Sequence, residues 1–307
     1  MSAYRGGPQT FSIIGLSSKP LQVFGRPEYQ CEYYRANNNT SRSIVTAHKI
    51  LPDWGFGRVY TVVVLNCTFT TTHPSLSVAD ASAGGKLLLR STTFINPIPA
   101  LVEPPHSWDP FQFSSSPKYD YLYCGSPLYG DLSPQRMREW LAYHIRLFGK
   151  RSHFVIHDAG GIHSQLLSVF KPWIQLGYVT LHDVTQQERF DGYYHNQFLV
   201  LNDCLHRYRF HSNWIFFFDV DEYIYLPSYL SFASVMASFR NFTQFTFAQI
   251  PIANNLCLTQ DAGITSKYVH FLYSFFINHF FFKFSLLILL NYLLLYFSIA
   301  GDIRLPH

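Results

Sequence analysis

Trp214-Ile215-Phe216-Phe217-Phe218 runs without a polar residue into Asp219-Val220-Asp221-Glu222, and the reading of that junction decides the fold. Five consecutive apolar residues are apolar on both alternating faces, which predicts a strand buried in the middle of a sheet. Working upstream, residues about 195 to 209 carry Phe198, Leu201, Leu205 and Tyr208 along one side, as a helix lying on that sheet would. Before it come a short strand, Tyr178-Val179-Thr180-Leu181, and a helix from Ser164 to Leu176, interrupted near Pro172. His153-Phe154-Val155-Ile156-His157 is a further strand, ending at Asp158-Ala159-Gly160-Gly161. The helix ahead of it has Ser133 as N-cap, Pro134 at its first position and Gly149 just past its end. Its apolar positions Met137, Trp140, Leu141, His144, Leu147 and Phe148 recur at three and four residues. Tyr121-Leu122-Tyr123-Cys124, closed by Gly125, is the first strand of the series.

Strands alternating with helices from Tyr119 onward predict a doubly wound, mostly parallel α/β sheet. Ligands of such sheets bind at the carboxyl ends of the strands, so Asp219-Val220-Asp221-Glu222 falls where a site belongs. Residues 1–117 differ. Phe11-Ser12-Ile13-Ile14, Arg58 to Leu65 and Lys86 to Leu89 are apolar runs separated by Gly, Pro, Asn and Ser, with no helical period. A small β-sandwich is expected there. Pro97, Pro99, Pro104, Pro105, Pro110 and Pro117 all fall within residues 92 to 117, which read as a linker.

Three carboxylates in four residues at the end of a buried strand repel one another unless a cation or hydrogen-bond donors compensate them. A hard divalent ion, Mn²⁺ or Mg²⁺, is the simplest compensation, since it takes oxygen ligands and needs only one or two carboxylates beside water and phosphate oxygens. On an extended chain Asp219 and Asp221 point the same way, about 7 Å apart at Cα. Both are metal candidates, and Asp219 is also a donor contact. A metal bridging the phosphates of a nucleoside diphosphate stabilises it as a leaving group. A glycosidase is disfavoured, because its paired carboxyl groups must flank the scissile bond from opposite faces.

Composition narrows the classes further. Charged residues make up 14% and the net charge of +4 is scattered, which excludes a basic nucleic-acid-binding stripe. Aromatic residues make up 18%, read mainly as core, with any exposed rings suited to stacking on sugars. The five cysteines, Cys31, Cys67, Cys124, Cys204 and Cys257, show no C-x-x-C spacing, so a thiolate metal site is set aside. In an oxidising lumen some of them can pair, Cys31 with Cys67 for instance, and the connectivity stays open. Asn38, Asn39, Asn66 and Asn241 begin glycosylation sequons. Met1-Ser2-Ala3-Tyr4-Arg5 shows no basic-then-apolar signal pattern.

The motifs Tyr121 to Gly125, Arg138 to His144, His157 to Gly161, Asp191-Gly192-Tyr193-Tyr194, Asn202 to Leu205 and Phe218 to Tyr223 occur in an order and spacing that resembles glycosyltransferase family 92. The likeness is to its plant β-1,4-galactan synthase type and covers about residues 4 to 263. Gly25-Arg26-Pro27 and Leu51 to Gly55 look like the carbohydrate-binding-like β domain of that type. The resemblance implies a GT-A-like fold, a UDP-sugar donor such as UDP-galactose, Mn²⁺, and inverting transfer to a polysaccharide acceptor such as pectic β-1,4-galactan. It also implies a lumenal domain at the Golgi membrane. Carried over by position, Cys124 and Gly125 lie where the first strand meets the nucleotide, and His157 and Asp158 lie near the uridine. Asp191, Tyr194 and Asn196 lie ahead of the third helix as donor contacts. The general base of the family is not recognisable in this sequence.

Three segments result: 1–117, β-rich and carbohydrate-binding-like with its linker; 118–263, nucleotide-sugar-binding; and 264–307, a hydrophobic tail. Phe284 to Ala300 is seventeen residues without a charge, the lower limit for a membrane-spanning helix. The tail composition is also that of A/T-rich codons, as in translated intron, and both readings stand. The alternative to an active transferase is a truncated, non-catalytic product that binds glycan or UDP.

Overall fold

The computed structural model describes residues 1–36, 38–49, 59–69, 83–93, 95–113, 115–190, 194–248 and 280–283. The main body of each of two compact units is Met1–Ser115 and, from Ser116, the chain to Phe284 apart from Phe190–Tyr193.

Among the described residues the first unit is a seven-stranded antiparallel sheet. Its strands are β1 (Ser2–Arg5), β2 (Thr10–Ser18), β3 (Tyr29–Arg35), β4 (Asn38–Lys49), β5 (Tyr60–Thr68), β6 (Gly85–Ser91) and β7 (Ile98–Glu103). They lie in the order β1-β2-β5-β4-β3-β6-β7. This corrects the expected sandwich of two separate sheets. The twelve-residue β4 pairs with β3 along most of its length and with β5 at His48 and Lys49, so one sheet is continuous. Its two outer strands are drawn together by Arg5 on β1, whose Nε donates to Glu103 Oε1 on β7 at 2.6 Å. Arg5 also donates to the Tyr33 hydroxyl at 3.0 Å and sits over the rings of Phe11 and Trp108 at 4.6 and 4.5 Å. The sheet therefore curls into a near-barrel around Phe11, Tyr33 and Phe69, all at most 1% exposed. Cys31 on β3 and Cys67 on β5 form a disulfide past the intervening β4.

The proline-bearing stretch 92–117 is not linker throughout, since it contains β7. Pro99 is tolerated because β7 is an edge strand with a register shift opposite Leu87 and Leu88, where a missing N–H costs little. Asn66 is 7% exposed and its amide donates to Thr68, so the folded chain does not offer that sequon to a modifying enzyme. Leu51 to Gly55 lie outside the described residues.

The second unit alternates strands and helices: β8 (Tyr119–Cys124), α1 (Pro134–Phe148), β9 (Ser152–Asp158), α2 (Ser164–Gln175), β10 (Val179–Asp183), α3 (Gln197–Tyr208), β11 (Ser212–Phe216), α4 (Phe232–Ser238), β12 (Gln244–Thr246) and β13 (Phe280–Lys283). The order is β10-β9-β8-β11-β13-β12. The first four strands are mutually parallel, and β13 and β12 add antiparallel. From β8 the chain winds outward to β9 and β10, then returns to place β11 on the other side of β8. The order of winding thus reverses between β8 and β11, the place where such sheets form a crevice at the strands' carboxyl ends.

Local signals explain the helices. Ser133 Oγ accepts from Arg136 N at 3.2 Å, Pro134 follows it, and Gly149 closes α1 with φ of 83°. The buried face of α1, Met137, Trp140, Leu141, His144, Ile145 and Phe148, packs with Phe154, Phe216, Phe218 and Phe232 into the main core. Phe280–Lys283, inside the apolar tail, is a strand, while Phe284 to Ala300 lies outside the described residues. No helix among the described residues is long and apolar enough to cross a membrane.

Candidate functional site

The crevice between β8 and β11 is built around the turn that follows β11. Asp219 to Glu222 is not extended, as expected from the sequence, but folded back: Glu222 N donates to Asp219 O at 3.1 Å, and Asp219 N donates to Glu222 Oε2 at 2.7 Å. The Glu222 carboxylate thereby caps the turn, and strand alternation no longer governs where Asp219 and Asp221 point. Asp221 is exposed, and Asp219 half-buried.

The turn is held from beneath by β8 and α1. The buried Tyr123 hydroxyl donates to Phe218 O at 2.8 Å, Trp140 Nε1 to Glu222 O at 2.8 Å, and the Tyr143 hydroxyl to Ile224 O at 2.6 Å. His144 lies 2.9 Å from Trp140 O through Nδ1 and 3.4 Å from Ile224 N through Nε2. A carbonyl only accepts and an amide N–H only donates, so His144 is neutral with its proton on Nδ1. Burial pushes its pKa down to about 3, in agreement. Burial, and then the negative charges of Asp219, Glu222 and Asp221, push the Tyr123 hydroxyl well above the ordinary phenol.

Across the crevice, the Ser126 hydroxyl donates to Asp219 Oδ1 at 2.6 Å, and Gln197 Nε2 donates to Ser126 Oγ at 2.6 Å. The loop after β8 is fastened to the end of β9: Leu128 N donates to His157 O at 2.7 Å, and Leu128 O accepts from Ala159 N at 2.8 Å and Gly161 N at 3.1 Å. A Cβ on Gly161 would lie 2.7 Å from Tyr129 N, which accounts for glycine there. Gly125 is required because a Cβ would collide with the Tyr123 ring. On the outer rim the Tyr129 ring stacks on His195 at 3.7 Å, and His195 Nδ1 lies 2.8 Å from Glu188 Oε2. The Tyr129 hydroxyl is raised, first by desolvation, then by its bond to Tyr194, with smaller contributions from Tyr194, Asp219 and Asp221.

The sequence-derived candidates fare unequally. Asp219, Asp221, Gly125 and Tyr194 all belong to this crevice or its rim. Cys124 does not offer a side chain to a ligand: it is fully buried and joined to Cys204 of α3 by a disulfide. His157 is 2% exposed and its Nδ1 donates to Gly125 O at 3.1 Å, so its ring supports the loop from inside and does not face the crevice. Burial drives its pKa down to about 4. One Asp158 oxygen accepts from Gly160 N at 2.8 Å and Ile162 N at 3.1 Å, shaping the turn into α2. Asn196 is buried and donates to Gln187 O at 2.9 Å. Asp191 lies outside the described residues. Tyr194, His195 and Asn196 have φ of 49°, 55° and 61°, a left-handed run that single non-glycine residues seldom adopt and that aims α3 at the crevice.

Ser126, Tyr129, Gln197 and the Glu188–His195 pair were not singled out by the sequence. Only the position of Ser126, two residues past a strand end, was a usable signal. Among the described residues no cluster of three or more His, Cys, Asp or Glu side chains is assembled as a metal cage. The Asp219–Asp221 turn nevertheless has the right chemistry for a hard divalent ion: its side-chain donors are carboxylate oxygens, and their charge already weighs on two nearby tyrosines.

Residues 119–268 match the model of glycosyltransferase family 92. The second unit is a family 92 domain. The chain is also 56% identical over 272 residues to galactan beta-1,4-galactosyltransferase GALS2 of Arabidopsis thaliana, covering 85% of this chain and 52% of that protein. The corresponding figures for GALS3 are 54% over 270 residues, 85% and 53%. For GALS1 they are 51% over 267 residues, 85% and 52%. The chain therefore spans about half the length of the curated relatives it matches. The cytochrome b5 reductase domain of Ulva prolifera nitrate reductase overlaps it at TM-score 0.17 and 11% identity, covering 59% of this chain and 70% of that one. In the family 92 domain the match takes in β8 to β12, hence every residue of the crevice just described.

Proposed function

We propose that this chain carries the donor-binding part of a GT-A-like, inverting galactosyltransferase, which uses UDP-galactose to extend a polysaccharide of the β-1,4-galactan kind. The observation that carries the reading is the acidic turn Asp219–Glu222, bonded through Ser126 across the crevice where the winding order of the parallel strands reverses. The activity for which the Arabidopsis relatives are named, galactan beta-1,4-galactosyl transfer, supports the choice of sugar and acceptor. Asp219 and Asp221 are the residues that would hold Mn²⁺ or Mg²⁺. Such an ion would supply positive charge to the departing diphosphate.

The protein's own share is positional. Tyr123, Trp140, Tyr143 and His144 fix the backbone of the turn by four hydrogen bonds, so the carboxylates are held before donor arrives. Tyr129 and Tyr194, 37% and 56% exposed, offer rings at the rim on which a base or a sugar can stack. Two disulfides suit the oxidising lumen of the Golgi, the compartment we assign, at its membrane.

The test is calorimetric titration of the full chain with UDP, with and without MnCl₂, alongside transfer from radiolabelled UDP-galactose to galacto-oligosaccharides. UDP binding that requires the metal and falls at least tenfold in Asp221→Ala is expected, with transfer lost in the same variant. Metal-independent transfer, or binding untouched by Asp219→Asn and Asp221→Ala together, overturns the proposal.

A further inference from the structure

Three residues distant in the chain converge on one carboxylate: Ser126 after β8, Gln197 at the first position of α3, and Asp219 after β11. The direction of their hydrogen bonds is forced. The Ser126 hydroxyl donates its single proton to the Asp219 carboxylate at Oδ1. The Ser126 oxygen is then left as an acceptor toward Gln197, which must present its amide N–H, as it does at 2.6 Å. A serine alone can rotate its proton to other acceptors. With the glutamine donating from behind, that rotation is penalised and the hydroxyl stays aimed at the carboxylate.

The frame around this chain is stiff. The Cys124–Cys204 disulfide ties β8, two residues before Ser126, to α3, seven residues after Gln197. Asp219 is meanwhile fixed at its own backbone by Glu222. Both half-buried polar side chains, Ser126 and Gln197, thus serve one purpose: setting the rotation of a carboxylate that the acidic turn presents to the crevice.

We propose that Ser126 and Gln197 are positioning residues that orient Asp219 for the divalent cation. This rests on the metal reading above. It is tested by titrating the full chain with Mn²⁺ and following the free-ion electron paramagnetic resonance signal, without any turnover. Ser126→Ala and Gln197→Glu are each expected to weaken Mn²⁺ binding about tenfold or more, the range for groups that orient metal ligands. Gln197→Glu acts without opening a cavity, because its carboxylate competes for the Ser126 proton. Ser126→Thr, which keeps the hydroxyl, should bind within about twofold of the unsubstituted chain, and all variants should melt as folded proteins. Ser126→Ala and Gln197→Glu chains that bind Mn²⁺ like the unsubstituted chain overturn this inference alone. An unsubstituted chain that binds no Mn²⁺ overturns the metal reading and this inference with it.

Discussion

Replacing Cys124 and Cys204 together by alanine removes the cross-link between β8 and α3 without leaving a free thiol. The bond closes a sequence separation of 80 residues. Loop-closure entropy for that separation amounts to about 4.5 kcal/mol of stability, of which engineered losses commonly realise about 2 to 4. The Cys31–Cys67 pair, with a separation of 36, gives about 3.8 kcal/mol by the same relation. Removing either pair should therefore cost similar amounts but in different places. The assay is urea unfolding of the full chain, followed by tryptophan fluorescence and by amide exchange read peptide by peptide. Three tryptophans, Trp140, Trp173 and Trp214, report from the second unit. For the Cys124/Cys204 variant the expected result is a loss of at least about 2 kcal/mol, with faster exchange in β8 and α3. A loss below about 0.5 kcal/mol, or exchange that accelerates in β3 and β5 instead, would refute the reasoning.

Stability should fall on mild acidification. Burial holds His144, His157 and His206 near pKa 3, 4 and 3, against about 6.5 in the unfolded chain. The unfolded state binds the extra protons, so stability is full above about pH 6.5 and declines as the pH drops toward 4, by about 2 kcal/mol per histidine at pH 5. Urea midpoints measured from pH 7.5 to 5 check this, and a flat profile contradicts it. Gly161→Ala drives a Cβ toward the Tyr129 backbone, 2.7 Å away, where no flexible side chain can yield. It should destabilise the loop after β8 by about 1 to 3 kcal/mol and lower UDP affinity, whereas an unchanged melting temperature would show that the loop shifts freely.

Local signals carried well from sequence to structure, and closures between distant residues did not. The strand ahead of Asp219 and the helix bounded by Ser133 and Gly149 were legible because each is specified by neighbours in the chain. The curled sheet was not, because its closure depends on Arg5 meeting Glu103, 98 residues away. Pro99 looked like linker because proline excludes a central strand, but it says nothing against an edge. The Asp219 turn is a subtler case. Glu222 stands three residues on, a spacing that permits side-chain capping, yet the preceding strand suggested extension. Cys124 came to the donor site only by its position in the family pattern, and its bond to Cys204, 80 residues away, cannot be read from spacing. Ser126 and Gln197 are isolated polar residues that gain meaning only when α3 is laid beside β8.

The Arg5 latch also governs when the first unit can be completed. A growing chain displays Arg5 almost at once, but its partner Glu103 emerges only after six further strands have been made. Until then β1 and β6 both present open backbone edges to other chains. Pairings of such long range form slowly, on the millisecond-to-second scale. Nascent chains are thus most exposed to other chains during the synthesis of residues 5 to 103; the last strand covers the edge of β6, and the Arg5–Glu103 bond then draws the two remaining edges together.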